Sequence, residues 1–208
     1  MYSLYVVTDP DLSLGRSPVE VAALAYEGGA DVVQLRDKHA DGGRLLEWAK
    51  EIRKIADTNG KMFIVNDRLD IAMLSKADGV HLGQSDIPVS DARELVSPDF
   101  LIGVSVKSVE EALEAERNGA DYLGLTVFET RTKADADPAG GLGLLNEIHL
   151  SVNIPVVAIG GMSRDNAASV VRAGADGVAF VSAVVSKKDI ALASKELKAI
   201  ITASRARR

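Results

Sequence analysis

The sequence predicts an α/β fold, a single (β/α)8 TIM barrel over residues 1–208, on three observations. Short apolar, β-branched runs alternate with longer segments of helical periodicity along the whole chain. Eight such strand–helix units can be counted, and eight in one domain imply a closed parallel barrel rather than an open sheet. A short motif also recurs as Gly29-Ala30-Asp31, Ala77-Asp78-Gly79, Gly119-Ala120-Asp121 and Gly174-Ala175-Asp176. It falls ahead of every second strand, so the repeat is a double unit.

The first strand, Leu4–Val7, runs into Thr8-Asp9-Pro10. A doubly wound dinucleotide-binding sheet would place a Gly-x-Gly-x-x-Gly turn there, which disfavours that alternative. Asp31–Leu35 forms the second strand, and the segment after it spaces Leu45, Ala49, Ile52, Ile55 and Ala56 as one helical face. Met62–Val65, Gly79–Leu82, Leu101–Val104 and Asp121–Leu125 supply the third to sixth strands. Pro155–Ile159 is the seventh, followed by the helical spacing of Ala167, Val170 and Val171, and Gly177–Val181 is the eighth. Glycine in the repeated motif can take the left-handed conformation that stops a helix. Those segments are therefore expected to turn the chain at the bottom of the barrel.

Composition narrows the function. A formal net charge of −6 disfavours general binding to nucleic acid or to anionic membranes. The absence of cysteine removes disulfides, thiolate metal sites and cysteine nucleophiles. No apolar run is long enough to span a bilayer, and the first residues lack the basic-then-apolar pattern of a signal peptide. A cytoplasmic protein is expected, with a homodimer left open.

Active sites of such barrels lie at the carboxyl ends of the strands. Past the second strand, Gln34, Arg36 and Lys38 share one face and Val33 and Leu35 the other. Either an amide and two cations enter the barrel mouth, or the strand ends at Leu35 and leaves a solvated charged loop. Asn66-Asp67-Arg68 follows the third strand, and Gly83-Gln84-Ser85-Asp86 the fourth. Magnesium takes one or two carboxylates plus phosphate oxygens and water, and Asp67 with Asp86 makes such a half-site. Alternatively Asp67 caps the helix that begins near Leu69, and Asp86 serves a turn.

Ser105 ends the fifth strand, a position where a hydroxyl caps as often as it binds. The sixth strand opens into Phe128–Asp135, a long polar loop suited to a lid. Gly160-Gly161 after the seventh strand and Val181-Ser182 after the eighth fall where barrels bind phosphate through backbone N–H groups. Two anion sites on one mouth suggest an enzyme that joins or processes phosphorylated small molecules.

These residues resemble the thiamine phosphate synthase (thiamine-phosphate pyrophosphorylase) family. The similarity covers nearly the whole chain and runs in order through Tyr5–Asp9, Gln34–Lys38, Val65–Arg68, Gly79–Gln84 with Asp86, Gly103–Ser105, Thr130–Lys133, Ala158–Gly161 and Gly174–Val178. The resemblance implies a transferase that condenses 4-amino-2-methyl-5-(diphosphooxymethyl)pyrimidine with 4-methyl-5-(2-phosphooxyethyl)thiazole. It further implies that Gln34, Leu35, Arg36, Asp37, Lys38, Asn66, Ser105 and Lys133 hold the pyrimidine diphosphate. Thr130, Arg131, Thr132, Gly161, Val181 and Ser182 would hold the thiazole phosphate, and Asp67 and Asp86 would hold Mg2+. Arg36, Lys38, Ser105 and Lys133 would carry catalysis by dissociative departure of diphosphate. The chain departs from the family pattern at Leu125-Thr126-Val127-Phe128, where a Gly-Pro pair is usual. It departs again at Glu129, which replaces a proline, and at Ser105-Val106-Lys107, where Ser-Thr-His is usual. The rivals are a thiazole tautomerase-like barrel and a non-catalytic regulator that binds thiazole phosphate. Retention of Asp67, Asp86, Lys38 and Lys133 favours the synthase.

Overall fold

The computed structural model describes residues 2–129 and 140–206. Its strands are β1 (Leu4–Val7), β2 (Val32–Leu35), β3 (Met62–Asn66), β4 (Gly79–Leu82), β5 (Leu101–Val106), β6 (Tyr122–Thr126), β7 (Val156–Ile159) and β8 (Gly177–Phe180). Each pairs in parallel with its chain neighbour, and β1 pairs with β8, so the barrel closes in sequence order. Between them lie α1 (Pro18–Glu27), α2 (Gly42–Asn59), α3 (Leu69–Ser75), α4 (Val89–Leu95), α5 (Val109–Arg117), α6 (Gly141–Ser151) and α7 (Ala167–Arg172). A short α8 (Ser182–Val185) and the long α9 (Ile190–Arg205) follow β8. Among the described residues no helix is long and apolar enough to cross a membrane.

Strand alternation sorts the side chains into two layers. Leu4, Val6, Val33, Leu35, Phe63, Val65, Leu82, Ile102, Leu123 and Phe180 lie in the outer layer with the apolar faces of the helices. Tyr5, Val7, Val32, Ile64, Tyr122, Val157 and Ala179 make a separate cluster inside the barrel. Local chemistry fixes the helix starts: Ser17 forms a capping box with Glu20, and Asp41 caps α2 by accepting from the Arg44 N–H.

The repeated motif has a physical role beyond turning. Asp31, Asp78, Asp121 and Asp176 each donate their backbone N–H to the carbonyl of a residue at the start of the odd strand before them: Leu4, Phe63, Ile102 and Val156. Each carboxylate then accepts the N–H of that same residue, at 2.9, 2.7, 2.7 and 2.9 Å respectively. The result is a two-bond clamp that joins each odd strand to the next even strand at the barrel floor. Each clamp also meets a side chain able to carry positive charge: Lys61 and Lys198 at Asp31, Arg53 at Asp78, Arg93 at Asp121 and His149 at Asp176. His149, which reads as a surface residue from sequence, belongs to this floor. The residue ahead of each Ala-Asp pair is left-handed: Gly29, Lys76, Gly119 and Gly174, with φ between 57° and 121°. Lys76, where the motif before β4 lacks its leading glycine, is the one of the four that carries a Cβ in this conformation.

Candidate active site

The chain leaves β2 at the barrel mouth with its cationic side chains positioned by β1. Thr8 Oγ1 accepts from the Arg36 N–H at 2.8 Å and donates to the Arg36 carbonyl at 3.0 Å. Asp9 holds the Arg36 guanidinium at 3.2 Å, with both side chains about one-seventh exposed. Gln34 is buried within the barrel and donates to Tyr5 Oη at 2.7 Å. Strand β2 ends at Leu35, as the second alternative has it, yet only Lys38 is exposed: Gln34 is buried inside the barrel and Arg36 is largely covered beside Asp9. The Leu35 side chain is buried in the outer layer, on the opposite face of the strand, so only its backbone borders the mouth. The Asp37 carboxylate accepts from the His39 and Ala40 N–H groups through Oδ1 at 2.8 and 2.9 Å, which shapes the loop.

Asp67 follows β3 in a left-handed conformation, φ 59°, that aspartate tolerates better than most residues. Its N–H donates to the His81 carbonyl at 2.8 Å, extending the β3–β4 ladder by one rung. This geometry rules out the capping alternative, because α3 begins after Arg68 and has no side-chain cap. Asp86 does serve its turn, accepting from the Gly83 N–H through Oδ2 at 2.7 Å. It also faces Asp67. Burial pushes the Asp67 carboxyl up to about 6, with the charge and hydrogen bond of Asp86 adding to the rise and Lys38 and Arg36 opposing it. Two carboxylates thus repel one another beside two cations.

Ser105 ends the inward face of β5, with its Oγ 2.9 Å from His81 Nε2. Helix α5 is capped by Ser108 instead, which leaves Ser105 free of that duty. Asn66 closes β3 opposite His81 in the register. After β7, Gly161 has φ 59°, and an added Cβ would stand 2.7 Å from Phe128 Cβ and 2.9 Å from the Glu129 carbonyl. Glycine is therefore needed for the β7 loop to meet the one leaving β6. Val181 and Ser182 open α8 at the end of β8, again at the mouth. Thr130, Arg131, Thr132 and Lys133 lie outside the described residues.

Comparison with known proteins decides the family. The model for thiamine monophosphate synthase matches residues 4–184. The thiamine-phosphate synthase of Methanocella arvoryzae is 55% identical over 97% of this chain and 95% of its own. That of Methanoculleus marisnigri is 52% identical over 99% and 98%. A solved structure of thiamine phosphate pyrophosphorylase from Pyrococcus furiosus superposes with a TM-score of 0.89 at 43% identity, covering 97% of this chain and 96% of that one. The chain belongs to the thiamine monophosphate synthase family.

Sequence reasoning about this family member missed two groups of residues that shape the mouth. Thr8 and Asp9 fall in the Tyr5–Asp9 motif without an assigned role, yet they fix Arg36. Tyr5, His81 and Tyr122 were legible only as strand residues, yet they connect Gln34 to Ser105 inside the barrel. The available signal was parity: His81 stands two residues from Gly79 and Gly83, on the inward face of β4.

Proposed function

We propose that this chain joins 4-amino-2-methyl-5-(diphosphooxymethyl)pyrimidine to 4-methyl-5-(2-phosphooxyethyl)thiazole, giving thiamine phosphate and diphosphate. The observation that carries the detailed reading is the pair Asp67 and Asp86, set against one another beside Arg36 and Lys38. A binder of the thiazole monophosphate alone would have no use for two facing carboxylates, which disfavours the tautomerase-like and regulatory alternatives.

The donor set fits magnesium. Both carboxylates offer hard oxygens at adjacent strand ends, and a divalent cation would relieve the Asp86 repulsion that adds to burial in raising Asp67. Bound there, Mg2+ would neutralise charge on the departing diphosphate.

The remaining roles are read from position for the described residues and from the family resemblance for residues 130–133. Arg36 and Lys38 would place positive charge where the leaving group gains negative charge, a preorganised electrostatic contribution that the resemblance extends to Lys133. Arg36 arrives already oriented by Thr8 and Asp9. Ser105 offers a hydroxyl, and Gln34 and Asn66 offer amides, to the pyrimidine diphosphate. Gly161, Val181 and Ser182, with Thr130, Arg131 and Thr132, would receive the thiazole phosphate through backbone N–H and hydroxyl groups. In the reaction the methylene C–O bond breaks with its electron pair going to diphosphate, and the thiazole nitrogen lone pair forms the new C–N bond. That nitrogen carries no proton, so no general base is needed. Water must be kept from the pyrimidine-methyl cation, a task the resemblance assigns to residues 130–133, which lie outside the described residues. A cytoplasmic setting is part of this reading, and fractionation tests it. Sedimentation tests the homodimer.

The deciding experiment measures diphosphate release from purified protein given both substrates, with Mg2+ or with EDTA. Metal-dependent release matched by thiamine phosphate supports the reading. No release while thiazole phosphate still binds would move the function to one of the alternatives.

A further inference from the structure

Five side chains from five strands form one hydrogen-bonded chain through the barrel interior. Gln34 Nε2 donates to Tyr5 Oη at 2.7 Å, and Tyr5 Oη lies 3.0 Å from Tyr122 Oη. Tyr122 Oη lies 3.1 Å from His81 Nδ1, and His81 Nε2 lies 2.9 Å from Ser105 Oγ. Both ends, Gln34 and Ser105, belong to the proposed substrate site, while Tyr5 and Tyr122 are buried. The interior is shaped around this chain. A Cβ at Gly103 would overlap the Tyr122 ring, and one at Gly124 would stand 2.9 Å from His81 Cε1. Burial pushes the Tyr5 and Tyr122 hydroxyls well up, so both keep their protons.

Each hydroxyl has one proton to give, and that constraint orders the whole chain. Tyr5 already accepts from Gln34, so its own proton goes to Tyr122. Tyr122 then gives its proton to His81 Nδ1. His81 must therefore carry its proton on Nε2 and donate it to Ser105 Oγ. Ser105 accepts, and its own proton is left to point into the mouth. With Gln34 Nε2 as the donor to Tyr5, the opposite order leaves the buried Tyr5 proton without an acceptor and turns the Ser105 donor inward, away from any substrate.

We infer that Tyr5, Tyr122 and His81 are positioning residues that hold Ser105 as a hydrogen-bond donor and Gln34 as a carbonyl acceptor toward the substrate. The two ends are coupled, since reversing one reverses the other. A diphosphate oxygen or ring nitrogen would take the Ser105 proton, and an exocyclic amino group would face Gln34 Oε1. This catalytic half rests on the function proposed above, whereas the proton order along the chain does not.

The tautomer can be read directly. The protein has three histidines, so long-range 1H–15N correlation of histidine-labelled protein separates them. In the free wild-type enzyme His81 should appear as the neutral Nε2–H tautomer, and Tyr122→Phe should shift it toward a mixture. In kinetics, Tyr122→Phe should lower kcat about 10- to 100-fold, the range typical when a group that orients a reacting residue is lost. The KM for thiazole phosphate should stay within about twofold. Ser105→Ala should cost more, and the double variant should lose no more than Ser105→Ala alone, because the hydroxyl acts through Ser105. An Nδ1–H tautomer for His81 in wild type, or losses that add in the double variant, would overturn the inference. Wild-type protein with no synthase activity but an Nε2–H His81 would refute the function while leaving the proton order standing.

Discussion

Replacing Asp86 by Asn should make the metal-free protein more stable and the enzyme nearly inactive. Asp67 is raised from 3.8 to about 6, by burial first and by the Asp86 charge and hydrogen bond second. A shift of about 2 pK units corresponds to about 3 kcal/mol for holding Asp67 ionised. Asp67 is only half-buried, so solvent screening reduces this, and Asp86 supplies the lesser share; about 1 kcal/mol is assigned to the pair. The sign is that of a carboxyl raised on folding: its contribution is most favourable below about pH 4 and is lost as pH rises through about 6. At pH 7.5 in EDTA, Asp86→Asn removes one like charge, and its Oδ1 can still accept from the Gly83 N–H. For a chain of this length about 1 kcal/mol should raise Tm by about 2–4 °C. Millimolar Mg2+ should raise the wild-type Tm and leave the variant's nearly unchanged. Turnover should fall by about 100-fold or more, while calorimetric affinity for thiazole phosphate stays close to wild type. Differential scanning calorimetry with and without metal makes the test. A variant that melts below wild type in EDTA, or gains as much from Mg2+, would refute the reasoning.

Asp9→Asn should raise the KM for the pyrimidine diphosphate about 10-fold by freeing Arg36, with the thiazole KM unmoved; equal rises in both would show a general distortion. Asp121→Ala takes away the acceptor for the Ile102 N–H and the partner of Arg93. It should lower stability by about 2–3 kcal/mol in urea titrations while kcat/KM per folded molecule stays constant. Asp31 is held below the ordinary carboxylate range: burial pushes it up, but the Lys198 and Leu4 hydrogen bonds and the charges of Lys198 and Lys61 outweigh that. Its stabilisation is therefore present above the unfolded pKa and lost as pH falls through the folded one. Asp31→Asn should be less stable than wild type at pH 7 and converge with it in strong acid, which urea midpoints taken across that range would show.

What could be read from sequence is what strand and helix periods encode locally. Parity along Val33–Arg36 separated the inward face of β2 from the outward one, and the strand ends marked the mouth. The same rule gave the outward face of Leu35, so the role that the resemblance implies for it would rest on its backbone. The capping alternative for Asp67 failed because its left-handed φ moves the helix start to Arg68, a backbone choice that residue type only permits. The floor clamps were visible as a repeated Ala-Asp, but not the carboxylate's return to the preceding strand, which needs two strands already paired. The interior chain lay furthest from view. Tyr5 and Tyr122 are 117 residues apart and meet only because the barrel has closed. Their partners in sequence are absences, Gly103 and Gly124, which give up side chains so that an aromatic ring and an imidazole can occupy the axis. A glycine in a strand reads as weakness until the residue filling its space is known. In a barrel that residue comes from another strand, so the glycines of β5 and β6 acquire meaning only together with His81 and Tyr122.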